Sequence, residues 1–248
     1  MAFEITTLTV FVAAFITAVA TGLGALPLVL GRRVNERWLS AGAAVAAGLM
    51  LAASHGLVGE GLNANAASTL VGMLIGAVVI HAARWRLDVA EAPGIGDLHG
   101  ADARKVLLIM GVMTAHSFAE GVGVGVAYGG GHELGVFITT AIAVHNVPEG
   151  LAIALIMVPR GVGVLRAAGW AVVSSLPQPL MAVPAYLFVR VFEPVLPLGL
   201  GFAGGAMIWM IFAELLPDAL QRLTSGMVGT VIVGAFLAML AFQVAIHY

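Results

Sequence analysis

The 248-residue chain is 60% hydrophobic and only 10% charged, with a mean hydropathy of +1.04. A soluble domain carries about a quarter charged residues, so this composition points to an integral membrane protein. A net charge of −2 argues against nucleic acid or another polyanionic partner, and the lack of cysteine excludes disulfides and thiolates, so a metal would need His, carboxylate, amide or Met donors.

Charges, glycines and prolines cut the chain into eight apolar segments, at about 5–30, 38–58, 66–83, 104–128, 134–158, 163–190, 195–217 and 225–246. Each can cross a bilayer as a helix, so the expected fold class is all-α and polytopic, with eight transmembrane helices. Met1 to Thr7 has no basic region before its apolar run and reads as part of the first span rather than a cleaved signal. Gly22, Gly24 and Pro27 predict a kink near the end of segment one. Segment two carries Ala46-Ala47-Gly48-Leu49-Met50, then Ser54-His55. Met50 is core filler or a soft thioether donor; His55 is a packing histidine or a donor on an exit path. Between segments three and four, Ala82 to Asp102 is the only long polar connection, with Arg84, Arg86, Asp88, Glu91, Asp97 and His99, and reads as a solvated loop.

Segments four and five hold the chemistry: His116-Ser117-Phe118-Ala119-Glu120-Gly121 and His145-Asn146-Val147-Pro148-Glu149-Gly150. Helix positions four apart share a face, which places each imidazole beside its own carboxylate. The intervening loop centres near Gly130 and Gly131, with His116 about as far before it as His145 is after it. In an antiparallel hairpin the imidazoles then meet roughly 20 Å from the turn, near the middle of a hydrocarbon layer about 30 Å thick. Ionisable groups at that depth are costly and usually functional. One such pair reads most simply as a buried hydrogen bond locking two helices. Two pairs at matching depth, with Asn146 added, favour a cation site.

Segment six opens with Ser174-Ser175-Leu176-Pro177-Gln178-Pro179 and continues to Pro184. Interior prolines free carbonyls, so a broken helix with Gln178 on a cavity wall is expected; Pro148 likewise frees the carbonyl of Val144. Segment seven reads Gly204-Gly205-Ala206-Met207, then Glu214-Leu215-Leu216-Pro217-Asp218. Gly205-x-Met207 echoes Gly48-x-Met50 from the opposite side, which suits an inverted repeat of segments one to three and six to eight around the central four-five pair. Glu214 and Asp218 are a second ligand pair, an entrance gate or interfacial carboxylates. Eight alternating spans gather ten of the eleven Lys and Arg residues on one side, leaving only Arg190 opposite, so both termini are expected outside.

Imidazole and carboxylate without thiolate suit zinc, and also iron(II), manganese, cobalt, nickel or cadmium. Two carboxylates neutralise a dication, which offsets its desolvation, and mixed donors on mobile helices suit release. Protons would compete with the metal for the same oxygens.

These motifs resemble those of the ZIP (Zrt- and Irt-like) family of divalent metal transporters, closest to its bacterial GufA-like branch. The matching stretches are Ala46 to Ser54, His116 to Gly121, Ala141 to Ala154, Ser174 to Pro179 and Gly201 to Ala219. The resemblance implies one transmembrane domain over 1–248, eight helices, a homodimer in a bacterial inner membrane, and a metal site between helices four and five with help from two and six. It implies the ligands His116, Glu120, His145, Asn146 and Glu149, with Met50 as an addition, and an elevator in which helices one, four, five and six move against two, three, seven and eight. Many relatives have Asn where this chain has Ser117, a glutamate where it has Gln178, and some an Asp where it has Asn146. Those groups contribute to a second metal position, so a single principal site of His116, Glu120, His145 and Glu149 is expected. No prosthetic cofactor is implied; the bound ion is cargo.

Three other functions remain to be weighed. An intramembrane zinc-dependent hydrolase would need a third fixed ligand and a base, and no His-Glu-x-x-His is present. A proton-linked carrier of an organic anion would want an intramembrane Lys or Arg, but the basic residues sit near span ends. A structural module would leave the doubled motif unexplained.

Overall fold

The computed structural model describes residues 5–29, 36–89 and 100–247, and every regular element among them is helical. In order these are α1 (Thr7–Leu23), α2 (Leu26–Val29), α3 (Glu36–Val89), α4 (Gly100–Gly130), α5 (His132–Met157), α6 (Val164–Ser175), α7 (Pro177–Val191), α8 (Leu196–Met210), α9 (Leu216–Leu220) and α10 (Ser225–His247). A π-helical turn, Ile211–Leu215, joins α8 to α9. Six stretches among the described residues are long and apolar enough to cross a membrane, one of them the 47-residue run Ser40–Arg86. Leu74, Leu165 and Val191 are among many large apolar side chains left exposed, as lipid-facing surfaces require.

The breaks follow the local chemistry. Segment one bends where expected, since α1 ends at Leu23 and α2 restarts at Leu26. Segment six splits at Leu176, with Pro177 opening α7. The long helix α3 doubles back at Asn65, whose backbone is extended (φ −161°, ψ 105°) and whose Oδ1 accepts from the Ser68 N–H at 2.9 Å. This is an N-cap, so Asn65 ends one arm and starts another. A Cβ on Gly61 would lie 2.8 Å from Thr69 Oγ1, whereas eight residues of straight helix span about 12 Å. The two arms therefore run back to back.

One expectation fails at the polar connection. Residues 82–89 continue α3 and 100–102 begin α4, so the loop expected over 82–102 is shorter at both ends. Ala82-Ala83-Arg84-Trp85-Arg86 contains strong helix formers and no breaker, and charge ends a hydrocarbon span without ending a helix. Glu91, Asp97 and His99 lie outside the described residues, as do Arg32 and Arg33.

Packing divides the helices into two groups. The first holds α1, α2, α4, α5, α6 and α7; the second holds α3, α8, α9 and α10; across the seam α4 touches α3 and α8, and α5 touches α3 and α10. In the second group, Gly72 and Gly76 of α3 and Gly201 and Gly205 of α8 are spaced four apart and face the opposing backbone. Two small-xxx-small stripes thus pack against each other, the closest approach available to helices in lipid. The main core runs through both groups, from Val10 and Ala14 through Met50, Ile138 and Ile142 to Met207 and Met210.

Candidate metal site

Two helices joined by one turn build the site. α4 ends at Gly130, Gly131 takes φ +140°, which a residue with a side chain would resist, and α5 begins at His132. The hairpin brings His116 and Glu120 of α4 against His145 and Glu149 of α5. One donor atom from each lies within 4.8 Å of all the others. All four side chains are buried.

The pairing crosses between the helices. His116 Nε2 lies 3.3 Å from Glu120 Oε1 on its own helix and 2.8 Å from Glu149 Oε1 on the other. His145 Nε2 bonds Glu120 Oε1 rather than the carboxylate of its own motif. Glu120 is thus shared between both imidazoles, lying beside its own as helical spacing predicts, whereas Glu149 turns to the imidazole of the other helix. Antiparallel stacking sets the two motifs head to tail and produces the exchange.

Among the described residues, three buried polar atoms at the site have no hydrogen-bond partner: Nδ1 of His116, Nδ1 of His145 and Oδ1 of Asn146. Buried polar atoms are nearly always paired. Two imidazoles and two carboxylates converging on one point, with unpaired nitrogen and oxygen atoms, form a donor set that fits a four-coordinate dication.

A glycine closes each motif, and each marks the nearest approach of a neighbouring backbone. A Cβ on Gly121 would strike Gln178 and Pro177 of α7, and one on Gly150 would strike the carbonyl of Thr21 in α1. These contacts set polar side chains behind the four-residue cluster. Gln178 is fully buried, and its Nε2 donates to Glu120 Oε2. Asn146 Nδ2 donates to the Thr17 carbonyl at 2.9 Å and to Gln178 Oε1 at 3.3 Å.

The other sequence candidates lie in different surroundings. Met50 is fully buried and belongs to the main core cluster that also holds Met207. Ser117 is buried next to His116. His55 is exposed and meets Phe236 edge-on, with ring centroids 6.3 Å apart. Glu214, in the π-helical turn, pairs with Arg84 of α3 at 2.5 Å. Asp218 accepts from Gln221 at 2.8 Å on the surface. Thr17 and Thr21 belong to no motif in the sequence, yet Thr17 bonds Gln178 and Thr21 lies 2.9 Å from the hydroxyl of Ser175, in the Ser174 to Pro179 stretch. Their only signal was a pair of threonines four apart in an apolar span, a common pattern.

Comparison with other proteins gives these observations a context. No family model matches the chain. It is 30% identical over 221 residues to the zinc transporter GufA of Myxococcus xanthus, covering 84% of this chain and 87% of that one. It is also 32% identical over 214 residues to the zinc transporter ZIPB of Bordetella bronchiseptica, covering 80% of this chain and 69% of that one. The chain belongs to the ZIP family. A putative zinc transporter of Arabidopsis thaliana is 45% identical over 216 residues, 86% of this chain but only 35% of that protein's length. These ZIP relatives are named as transporters, and the hydrolase alternative finds no support among them.

Proposed function

We propose that this chain carries divalent transition-metal cations, zinc foremost and iron, cadmium and manganese besides, across the plasma membrane into the cytoplasm by alternating access. The observation that carries the reading is the buried cluster of His116, Glu120, His145 and Glu149 at mutual donor distances within 4.8 Å. Names of relatives add zinc as the cargo of related chains. In this reading the four side chains bind one ion, and the two carboxylates cancel its charge within the protein. Asn146 and Met50 are auxiliary donors. Ser117 and Gln178, both neutral, leave no second anionic position beside the first.

Eight crossings are part of the proposal. The 54 residues of α3 would reach about 80 Å if straight, more than twice the hydrocarbon thickness, and the fold-back at Asn65 divides them into two spans. The 31 residues of α4 supply another. An inverted repeat is supported by the glycine contacts: Gly48 of the first α3 arm packs on Ile232 and Phe236 of α10, and Gly205 of α8 packs on Met73 of the second arm. Exchanging spans two and seven, and three and eight, turns one contact into the other. The two packing groups suit an elevator, with α1, α2 and α4 to α7 moving past α3 and α8 to α10. Termini outside, a homodimer and one domain spanning the chain rest on charge asymmetry and on the family resemblance.

Zinc uptake into liposomes carrying the purified protein, read by an internal dye, tests the reading. Saturable zinc entry is expected, with one tightly bound zinc per chain after chelation and reloading. Vesicles no more permeable than protein-free controls would sink the transport reading, and two tight ions per chain would sink the single site.

A further inference from the structure

Behind the ligand cluster lies a chain of hydrogen bonds whose polarity can be worked out from one end. The Thr17 main-chain carbonyl can only accept, so the Asn146 group 2.9 Å from it is the amide NH2. That same NH2 lies 3.3 Å from one terminal atom of Gln178, which must then be the carbonyl oxygen. The Thr17 hydroxyl reaches this oxygen too, sharing its proton with the Ala14 carbonyl at 2.7 Å. The other end of Gln178 is therefore its NH2, and it donates to Glu120 Oε2. The remaining oxygen of Glu120, Oε1, is the one that faces both imidazoles. All of these side chains are buried, so water does not compete for their donors and acceptors.

We infer that Thr17 of α1 is a positioning residue for metal selection: its hydroxyl fixes Gln178, whose amide holds one oxygen of Glu120 and leaves the other to the ion, while its main-chain carbonyl anchors Asn146 against the same Gln178 oxygen. This rests on the transport reading above and names what sets the cargo preference of that same site. A glutamate held in this way binds through one oxygen. The site then offers two nitrogens and two carboxylates of limited reach, which favours a small four-coordinate ion such as zinc. Manganese prefers more oxygen donors in an octahedral shell, and a Glu120 free to bind through both oxygens would serve it better. Thr17 touches no ion; it acts through the relay. It also explains why α1, which carries no ligand, packs against both α5 and α7.

The test compares Thr17→Val, Thr17→Ser and Gln178→Met with the unaltered protein in two measurements, equilibrium zinc binding in detergent and competition of manganese against zinc during liposome uptake. Losing an outer partner of a metal ligand typically lowers affinity 10- to 100-fold, so Gln178→Met should weaken zinc binding about tenfold and Thr17→Val somewhat less. In both variants the zinc-over-manganese preference should fall, and Thr17→Ser should restore it because the hydroxyl returns. Unchanged preference in Thr17→Val and Gln178→Met overturns the inference, as does an equal loss for both metals that Thr17→Ser leaves unrepaired. An unaltered protein that binds and transports zinc while these variants behave like it removes only the relay. An unaltered protein that neither binds nor transports zinc removes the transport reading and the relay together.

Discussion

Two carboxylate sites in this molecule differ in what the surrounding residues allow. Glu120 and Glu149 face imidazoles and are buried. Glu214 faces the Arg84 guanidinium, with side-chain exposures of 20% and 38%. A guanidinium keeps its charge at any ordinary pH and offers no lone pair, so it saturates its partner and becomes a fastener between α3 and the turn after α8. An imidazole can give up its proton and turn a lone pair on a metal. The first arrangement can exchange a proton for an ion; the second can only open or close.

Substitutions should separate the two sites, beginning with the largest effect. Glu149→Ala removes one of four donors and should reduce zinc uptake by about 100-fold, the upper end of the range for disturbed metal sites, with protein amounts in the membrane unchanged. Uptake at the normal rate in a well-folded variant would take Glu149 out of the mechanism. His145→Asn exchanges an imidazole nitrogen for an amide oxygen and should reorder preference from zinc towards manganese in a competition series. An equal loss for every metal would indicate damage to the hairpin instead.

Gly150→Val drives a branched side chain into the Thr21 carbonyl of α1. Overpacking of this kind costs about 1–3 kcal/mol, so the melting temperature in detergent should fall and zinc uptake with it. A variant as stable as the parent would mean that α1 can step back without cost. The smallest effect belongs to the fastener: Glu214→Gln should leave zinc uptake within about twofold and lower stability by less than about 1 kcal/mol, as partly exposed ion pairs contribute little. Strong loss of uptake with intact stability would place Glu214 on the ion's path.

Much of the fold was readable because lipid imposes simple rules. Gly24, Leu176 just ahead of Pro177, and the Gly130-Gly131 turn all break helices where the sequence predicts. Residues 82–89 are helical although their charges suggest a loop, because charged residues are good helix formers once outside hydrocarbon. The four-donor cluster was legible from spacing and depth. Its crossed pairing was not, because spacing along a helix carries no information about which neighbour a side chain turns to.

Composition and periodicity by themselves determined that the chain is helical, that it belongs in a membrane, and that two His-x3-Glu motifs lie at equal distance from one turn. Those properties are local: they depend on residues within a few turns of one another and on transfer from water to hydrocarbon. Only the tertiary structure decided that Glu120 is held between two imidazoles and the Gln178 amide, that Thr17 stands behind them, and that Glu214 is tied to Arg84. The partners in those contacts come from helices far apart in sequence, and the glycines that let their backbones touch reveal their role only when the opposing helix is in place.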